Sequence, residues 1–279
     1  MKKGINLPHL FKDIDIKKRL LFIKEAGFDI CMVSLDSNHE VILYPIEEVV
    51  KYAKFINLTL DIAHAPYKEP DITQFWYDNE KGNEIEKNYY NSIDVASKND
   101  IKIIVCHLHY GTNYKLSEIG LNRLLRLANY AKEKNVTIAV ENLYSYDELT
   151  YIFSHIEHPN LKICFDSGHE NFLTPNAKFL NKFNNKIVAL HLHDNNGKLD
   201  EHKSIFSGNI DWEYIVKGIS FIENIALTLE IKKAPSKVEL TLQEKELKQI
   251  LKNEYETLLK LEMLIQQEKQ VNIAIKQSQ

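Results

Sequence analysis

The densest set of groups able to do chemistry in this 279-residue chain falls in twelve residues, His191-Leu192-His193-Asp194-Asn195-Asn196-Gly197-Lys198-Leu199-Asp200-Glu201-His202. They follow a short apolar run, Ile187-Val188-Ala189-Leu190, that reads as a buried strand. Successive side chains of a strand turn to opposite faces, so His191 and His193 share one face and Leu192 takes the other. Two imidazoles therefore arrive together at a strand end, and the loop beyond adds Asp200 and His202. Imidazole nitrogens mixed with carboxylate oxygens are the donors that borderline divalent metals prefer.

The same placement recurs along the chain. His64 ends the run Leu58 to Ala63, His107 follows Ile101 to Cys106, and Glu141 follows Val136 to Val140. Asp166 follows Leu161 to Phe165, with His169 three residues on, and Glu230 follows Ile225 to Leu229. Helical spacing of apolar residues fills the intervals: Ile16 to Ala26, Ile46 to Phe55, Glu84 to Lys98, Leu116 to Lys134, Asp147 to Ile156, Pro175 to Phe183 and Trp212 to Phe221. With Lys3 to Leu7 and Phe28 to Leu35 as the first two strands, eight strands alternate with helices, the pattern of an α/β chain closed into a (β/α)8 TIM barrel. Active sites of such barrels sit where the strands end. A doubly wound open sheet would bring a Gly-rich turn after its first strand, and Gly4-Ile5-Asn6-Leu7-Pro8 supplies none. Strand parity sends Cys106 and Val140 toward the outer helices and His107 and Glu141 the other way.

From Val238 to about Gln267 a long helix carries Leu247, Ile250, Leu251, Leu258, Leu261 and Ile265 at spacings near three and four. It exceeds what a last barrel helix needs, and reads either as that helix with a solvated extension or as an arm of a homo-oligomer. The last dozen residues are expected to fray. Residues 1–279 are thus one TIM-barrel domain, with 238–279 its long C-terminal helix and tail.

Composition narrows the partners. A net charge of -4 gives no basic excess for nucleic acid, and the chain has only three arginines, Arg19, Arg123 and Arg126, all on predicted outer helices. Lys68, Lys115, Lys198 and Lys203 are scattered points of charge that suit a phosphate or carboxylate on a small substrate. Cys31, Cys106 and Cys164 fall inside predicted strands, an odd set that argues for thiols in a reducing compartment. No apolar run approaches the ~18 residues of a membrane helix and the first residues carry no apolar leader. A cytoplasmic protein without membrane or nucleic-acid partner is expected. His9, His39, His155 and His158 lie away from strand ends and read as surface histidines, whereas His109 and His193 could equally orient a neighbour or serve structure. Phe75-Trp76-Tyr77 reads as a loop anchor.

Taken together, His64-Ala65-Pro66-Tyr67, Val105-Cys106-His107, Glu141-Asn142, Phe165-Asp166-Ser167-Gly168-His169, His191-Leu192-His193-Asp194-Asn195, Asp200-Glu201-His202, Gly208-Asn209-Ile210-Asp211-Trp212 and Glu230 resemble the xylose-isomerase-like superfamily of TIM barrels over about residues 1 to 235. That superfamily includes sugar phosphate isomerases and epimerases, ketose 3-epimerases and endonuclease IV. In its isomerase and epimerase branch the resemblance implies one divalent ion, Mn, Mg, Co or Zn, on Glu141, Asp166, His191 and Glu230. Glu141 and Glu230, on opposite sides of the mouth, would then be the acid and base of an enediolate route on a small sugar, sugar phosphate or polyol. His169, Tyr67, His193 and Lys198 are expected to touch that substrate. In the endonuclease branch the resemblance implies up to three zinc ions on His64, His107, Glu141, Asp166, His169, His191, Asp200, His202 and Glu230, with His169, Asp200 and His202 holding the third. Every one of those positions is filled. The arginine count favours the isomerase over cleavage of abasic DNA.

Overall fold

Eight short strands whose side chains alternate in and out set the architecture, described here by a computed structural model for residues 1–8, 10–35, 45–233 and 239–277. They are β1 (Lys3–Asn6), β2 (Ile30–Ser34), β3 (Ile62–His64), β4 (Ile103–Cys106), β5 (Thr137–Glu141), β6 (Leu161–Asp166), β7 (Ile187–His191) and β8 (Leu227–Leu229), all parallel, in the order β7-β6-β5-β4-β3-β2-β1-β8. Beyond β7 the Leu192 N–H donates to the Thr228 carbonyl at 2.9 Å and the Glu230 N–H to the Leu192 carbonyl at 3.0 Å, which joins the two ends. The expected TIM barrel is what the chain forms. His9 and His39 lie outside the described residues.

Inside the barrel a layer of Met32, Ile62, Val105, Ala139, Cys164 and Ala189 packs as its own apolar cluster. Two residues further along the same six strands come Ser34, His64, His107, Glu141, Asp166 and His191. Period-two alternation turns these to the same interior, one layer nearer the mouth. Cys106 and Val140 belong instead to the core between strands and helices, as strand parity requires.

The helices are α1 (Ile16–Glu25), α2 (Ile46–Phe55), α3 (Glu80–Lys98), α4 (Glu118–Glu133), α5 (Tyr146–His155), α6 (Ser167–Leu173), α7 (Phe179–Phe183), α8 (Trp212–Ser220) and α9 (Leu240–Gln277). Most begin on a side chain that accepts a first-turn N–H, for instance Asp15, Asn79, Ser117 and Ser145. The Asn79 cap explains why α3 starts four residues before the expected Glu84. Gly82 sits in that first turn because a Cβ there would lie 2.6 Å from Arg123 Nη1 and from the Gln74 and Tyr77 carbonyls. Ser167-Gly168 opens α6 rather than making a plain turn, since the Asp166 carboxylate accepts the His169 N–H at 2.7 Å. Phe75 and Trp76 are fully buried on a 3₁₀ turn, Ile72–Trp76, as the loop anchor expected of them.

The long helix departs from expectation at its end. α9 continues to Gln277 rather than fraying after about Gln267. Leu247, Leu251, Leu258, Leu261 and Ile265 are completely buried, so its first two thirds close the barrel against α1 and α8. From residue 266 to 274 no side chain is buried, and Val271 and Ile273 are exposed. Among the described residues no helix is long and apolar enough to cross a membrane. We expect Leu258→Ala to cost about 2–5 kcal/mol in denaturant unfolding, and Ile273→Ala to stay within about 0.5 kcal/mol.

Candidate metal centre

At the mouth, three groups of side chains each bring ligand atoms within 4.8 Å of one another: His64, His107 and Glu141; Glu141, Asp166, His191 and Glu230; and His193, Asp200 and His202. Glu141, at the end of β5, belongs to the first two. In the first group His107 Nε2 lies 2.9 Å and His64 Nε2 3.3 Å from Glu141 Oε2. His64 Nδ1 donates to the Ala65 carbonyl at 2.7 Å, which places the proton there and leaves Nε2 as acceptor or ligand. In the second group His191 Nδ1 lies 2.8 Å from Glu230 Oε2, 3.1 Å from Glu141 Oε1 and 4.0 Å from Asp166 Oδ2. In the third, His202 Nε2 is 2.9 Å from Asp200 Oδ2, and His202 Nδ1 donates to the Glu230 carbonyl at 2.9 Å.

The resemblance named His169 beside Asp200 and His202; the structure brings both His169 and His193 to Asp200, each with Nε2 3.7 Å from one of its carboxylate oxygens. His169 Nε2 lies 3.7 Å from Asp200 Oδ2, and its Nδ1 lies 3.2 Å from Glu141 Oε1. His169 therefore stands between the groups, beside the cavity they line.

Glu141, Asp166 and His191 are each no more than 1% exposed, and burial works against every charge there. Burial alone would push the Glu141 and Glu230 carboxyls up, but His191 with His107 and His202 outweighs it and holds both below the usual carboxylate range. Asp200 is likewise held down by His169 and His202 against its burial. Burial would lower the imidazoles, yet the carboxylates lift His169 and His191 well above the ordinary histidine value and His202 to about 9. His107, where burial dominates, falls to about 4. The carboxylates thus demand positive charge, and protons on histidine supply it. Nitrogen and oxygen donors that converge in a dry pocket with surplus negative charge fit a divalent cation.

A cavity of about 340 Å³ opens over these groups, with His64, His107, Glu141, His169, Asp200, His202 and Glu230 on its wall. Tyr67 lines it too, its ring 4.8 Å from that of His64 and 4.6 Å from that of His107. Two expected substrate contacts fare differently. Lys198 is exposed on the β7–α8 loop and does not line the cavity, because that loop turns at Gly197 with φ +72° and carries it outward. His193 is completely buried behind Asp166 and does not line it either. Sequence reasoning missed Asn6, Tyr110, Tyr144 and Phe172 on the wall. Asn6 ends β1, and its amide brackets Ile231 at 3.1 and 3.0 Å. Also missed was Glu170, which accepts the Lys178 and Phe179 N–H groups at the start of α7; burial pushes its carboxyl up to about 7. His109 makes a fully buried pair with Glu148 at 2.8 Å, stacked on Tyr114, which favours its structural reading.

The three arginines serve the scaffold. Arg19 donates to the Leu10 carbonyl, Arg123 to those of Phe75 and Tyr77, and Arg126 pairs with Glu86 through two bonds of 2.8 and 2.9 Å.

A parallel eight-stranded barrel with carboxylates and imidazoles gathered at its strand ends defines a TIM barrel with a candidate metal centre. Residues 20–255 match the model of the xylose isomerase-like TIM barrel family, and the chain belongs to it. It is similar to an uncharacterised protein, MJ1614, of Methanocaldococcus jannaschii, 35% identical over 145 residues that make up 48% of this chain and 57% of that one. The chain therefore spans under two thirds of that relative. Among solved structures it resembles a D-tagatose 3-epimerase-like protein, with TM-score 0.72 and 23% identity over 92% of this chain and 97% of that one. It also resembles the IolI protein with a bound zinc atom, with TM-score 0.72 and 16% identity over 95% and 98%.

Two outcomes are expected. Because imidazolium must lose its proton to ligate, Mn²⁺ binding should release protons and tighten as pH rises, checked by titration calorimetry in buffers of different ionisation enthalpy. A raised carboxyl pKa means that the folded chain binds more protons than the unfolded one between about pH 4.5 and 7, so Glu170 erodes stability as pH rises through that window. Glu170→Gln should flatten that slope in melts run across it.

Proposed function

We propose that the protein is a divalent-metal-dependent isomerase or epimerase of a small carbohydrate or polyol. The observation that carries the reading is the pair Glu141 and Glu230, which come from β5 and from just beyond β8, both line the cavity and both reach His191 Nδ1. The donors of Glu141, Asp166, His191 and Glu230 would hold the ion. When bound there, a divalent cation would polarise a sugar carbonyl and acidify the neighbouring C–H.

The chain's own residues supply the remainder. Glu141 and Glu230 are held ionised, so one can take a proton from the carbon beside the carbonyl. The electron pair left behind forms an enediolate; the carboxyl that took the proton can return it to the neighbouring carbon, or the opposite carboxylate, once it has taken up a proton from solvent, can deliver one to the other face while the first releases its own to water. His169, on the cavity wall and raised toward imidazolium by Asp166, Asp200 and Glu141 against its burial, is suited to donate a hydrogen bond to a hydroxyl. Tyr67, Tyr110, Tyr144 and Phe172 offer aromatic faces for the C–H side of a sugar. No lysine or arginine is among the described residues lining the cavity, which favours an uncharged sugar over its phosphate ester. The likeness to a D-tagatose 3-epimerase-like structure and to a zinc-bound barrel supports this reading.

A second reading, a three-zinc phosphodiesterase acting on abasic DNA, draws support from the convergence of the three donor groups. The arginines count against it, since each is committed to the scaffold. Metal content separates the two: about one ion per chain for the isomerase and about three for the nuclease.

Incubated with Mn²⁺ or Co²⁺ and a panel of ketoses in deuterated water, the protein should exchange a carbon-bound hydrogen for deuterium. Glu141→Gln or Glu230→Gln should lower the exchange rate by roughly 10²–10⁴-fold. Absence of exchange on every ketose, together with cutting of an abasic duplex by the zinc-loaded protein, would replace this reading with the second.

A further inference from the structure

His193 is completely buried and lies off the cavity, and its backbone is held on both sides. Its backbone N–H donates to Ser167 Oγ at 3.0 Å, and Ser167 Oγ donates back to the His193 carbonyl at 2.7 Å. Its ring rests on the first turn of α6, where Gly168 makes room: a Cβ on that residue would lie 1.9 Å from His193 Cε1. No other residue type fits there while the ring stays in place.

The two ring nitrogens have unequal company. Nε2 lies 3.0 Å from Asp166 Oδ1 and 3.2 Å from Oδ2. Nδ1 is buried with no hydrogen-bond partner. A proton on Nδ1 would be unpaired in a dry site, so the ring's proton belongs on Nε2, where it bridges both carboxylate oxygens. Asp200 Oδ1 stands 3.7 Å from the same Nε2. One nitrogen thus faces two carboxylates. It can donate its proton to Asp166, or give its lone pair to a cation beside Asp200 and His202, and it cannot do both.

We propose that His193 is a positioning residue for Asp166: its Nε2–H fixes that carboxylate for the cation of the Glu141, Asp166, His191 and Glu230 group, and His193 is not itself a ligand of a separate ion at Asp200 and His202. The inference rests on the metal reading of that group. Donors that orient a ligand from behind in this way typically change metal affinity by 10–100-fold when removed.

The test uses Mn²⁺ as the probe on the full-length chain, with free Mn²⁺ counted by electron paramagnetic resonance and folding followed by thermal melts. His193→Ala should weaken the tightest Mn²⁺ site roughly 10–100-fold. His193→Asn, whose amide can still donate to Asp166, should recover most of that loss. Gly168→Ala, which displaces the ring without removing it, should weaken the same site, and with His193→Asn it carries the test should His193→Ala not fold. Unchanged affinity in folded His193→Ala would overturn the proposal. So would the loss of one ion per chain with the tightest site intact, which would make His193 a ligand. Failure of the unaltered chain to bind Mn²⁺ at all would instead remove the metal reading, and the proposal with it.

Discussion

Three buried carboxylates, those of Glu141, Asp166 and Glu230, converge above a floor of Met32, Ile62, Val105, Ala139, Cys164 and Ala189, with the more exposed Asp200 beside them, and the cost of that crowding governs the mouth of the barrel. Buried anions need compensating positive charge. Among the described residues lining the cavity no lysine or arginine supplies it, so the demand falls on imidazoles. His169, His191 and His202 are all lifted above the ordinary histidine value by the carboxylates around them. A divalent cation would satisfy the same demand with fewer protons, and its binding is coupled to theirs.

The scaffold spends its hydrogen bonds on holding these groups against one another. Asn142 brackets Asp166 from β5, donating to its carbonyl at 2.9 Å and accepting its N–H at 2.7 Å. Asn6 does the same for Ile231, one residue past Glu230. His202 joins the loop after β7 to the Glu230 carbonyl. Farther out, Ser204 donates to the buried carboxylate of Glu254 on α9, and Lys233 donates to Ser204 at 3.0 Å, so the long helix is tied to the loops that carry Asp200 and Glu230. Site side chains are thus anchored to backbone on neighbouring strands, which limits how far any one of them can yield to its neighbours' charge.

Much of this could be read from residue order, because the barrel repeats one rule. A strand's alternation places its apolar inner residue two positions before its polar one, and the pairs Ile62 with His64, Ala139 with Glu141, and Ala189 with His191 state the rule in the sequence itself. What escaped was whatever depends on a third dimension. Asn6 also ends its strand, but Gly4 two positions before it gives no apolar partner and asparagine alone does not advertise chemistry. Where His169 and His193 stand relative to Asp200 depends on a helix start at Ser167 that Asp166 caps, and the Ser-Gly pair reads equally well as a turn. Lys198 looked suited to a substrate as a point of positive charge for a phosphate or carboxylate, yet a left-handed turn at Gly197 carries it away. The long helix runs past its expected end although no side chain from residue 266 to 274 is buried, so no apolar pattern in the sequence marked that continuation.

The proposed chemistry requires one cation shared by side chains from four strand ends. Crystals grown with Mn²⁺ and measured at the manganese edge test it most directly. An anomalous peak within coordination distance of Glu141, Asp166, His191 and Glu230 together is the result predicted. A map with no peak among those four side chains, or with manganese only beside Asp200 and His202, would contradict it.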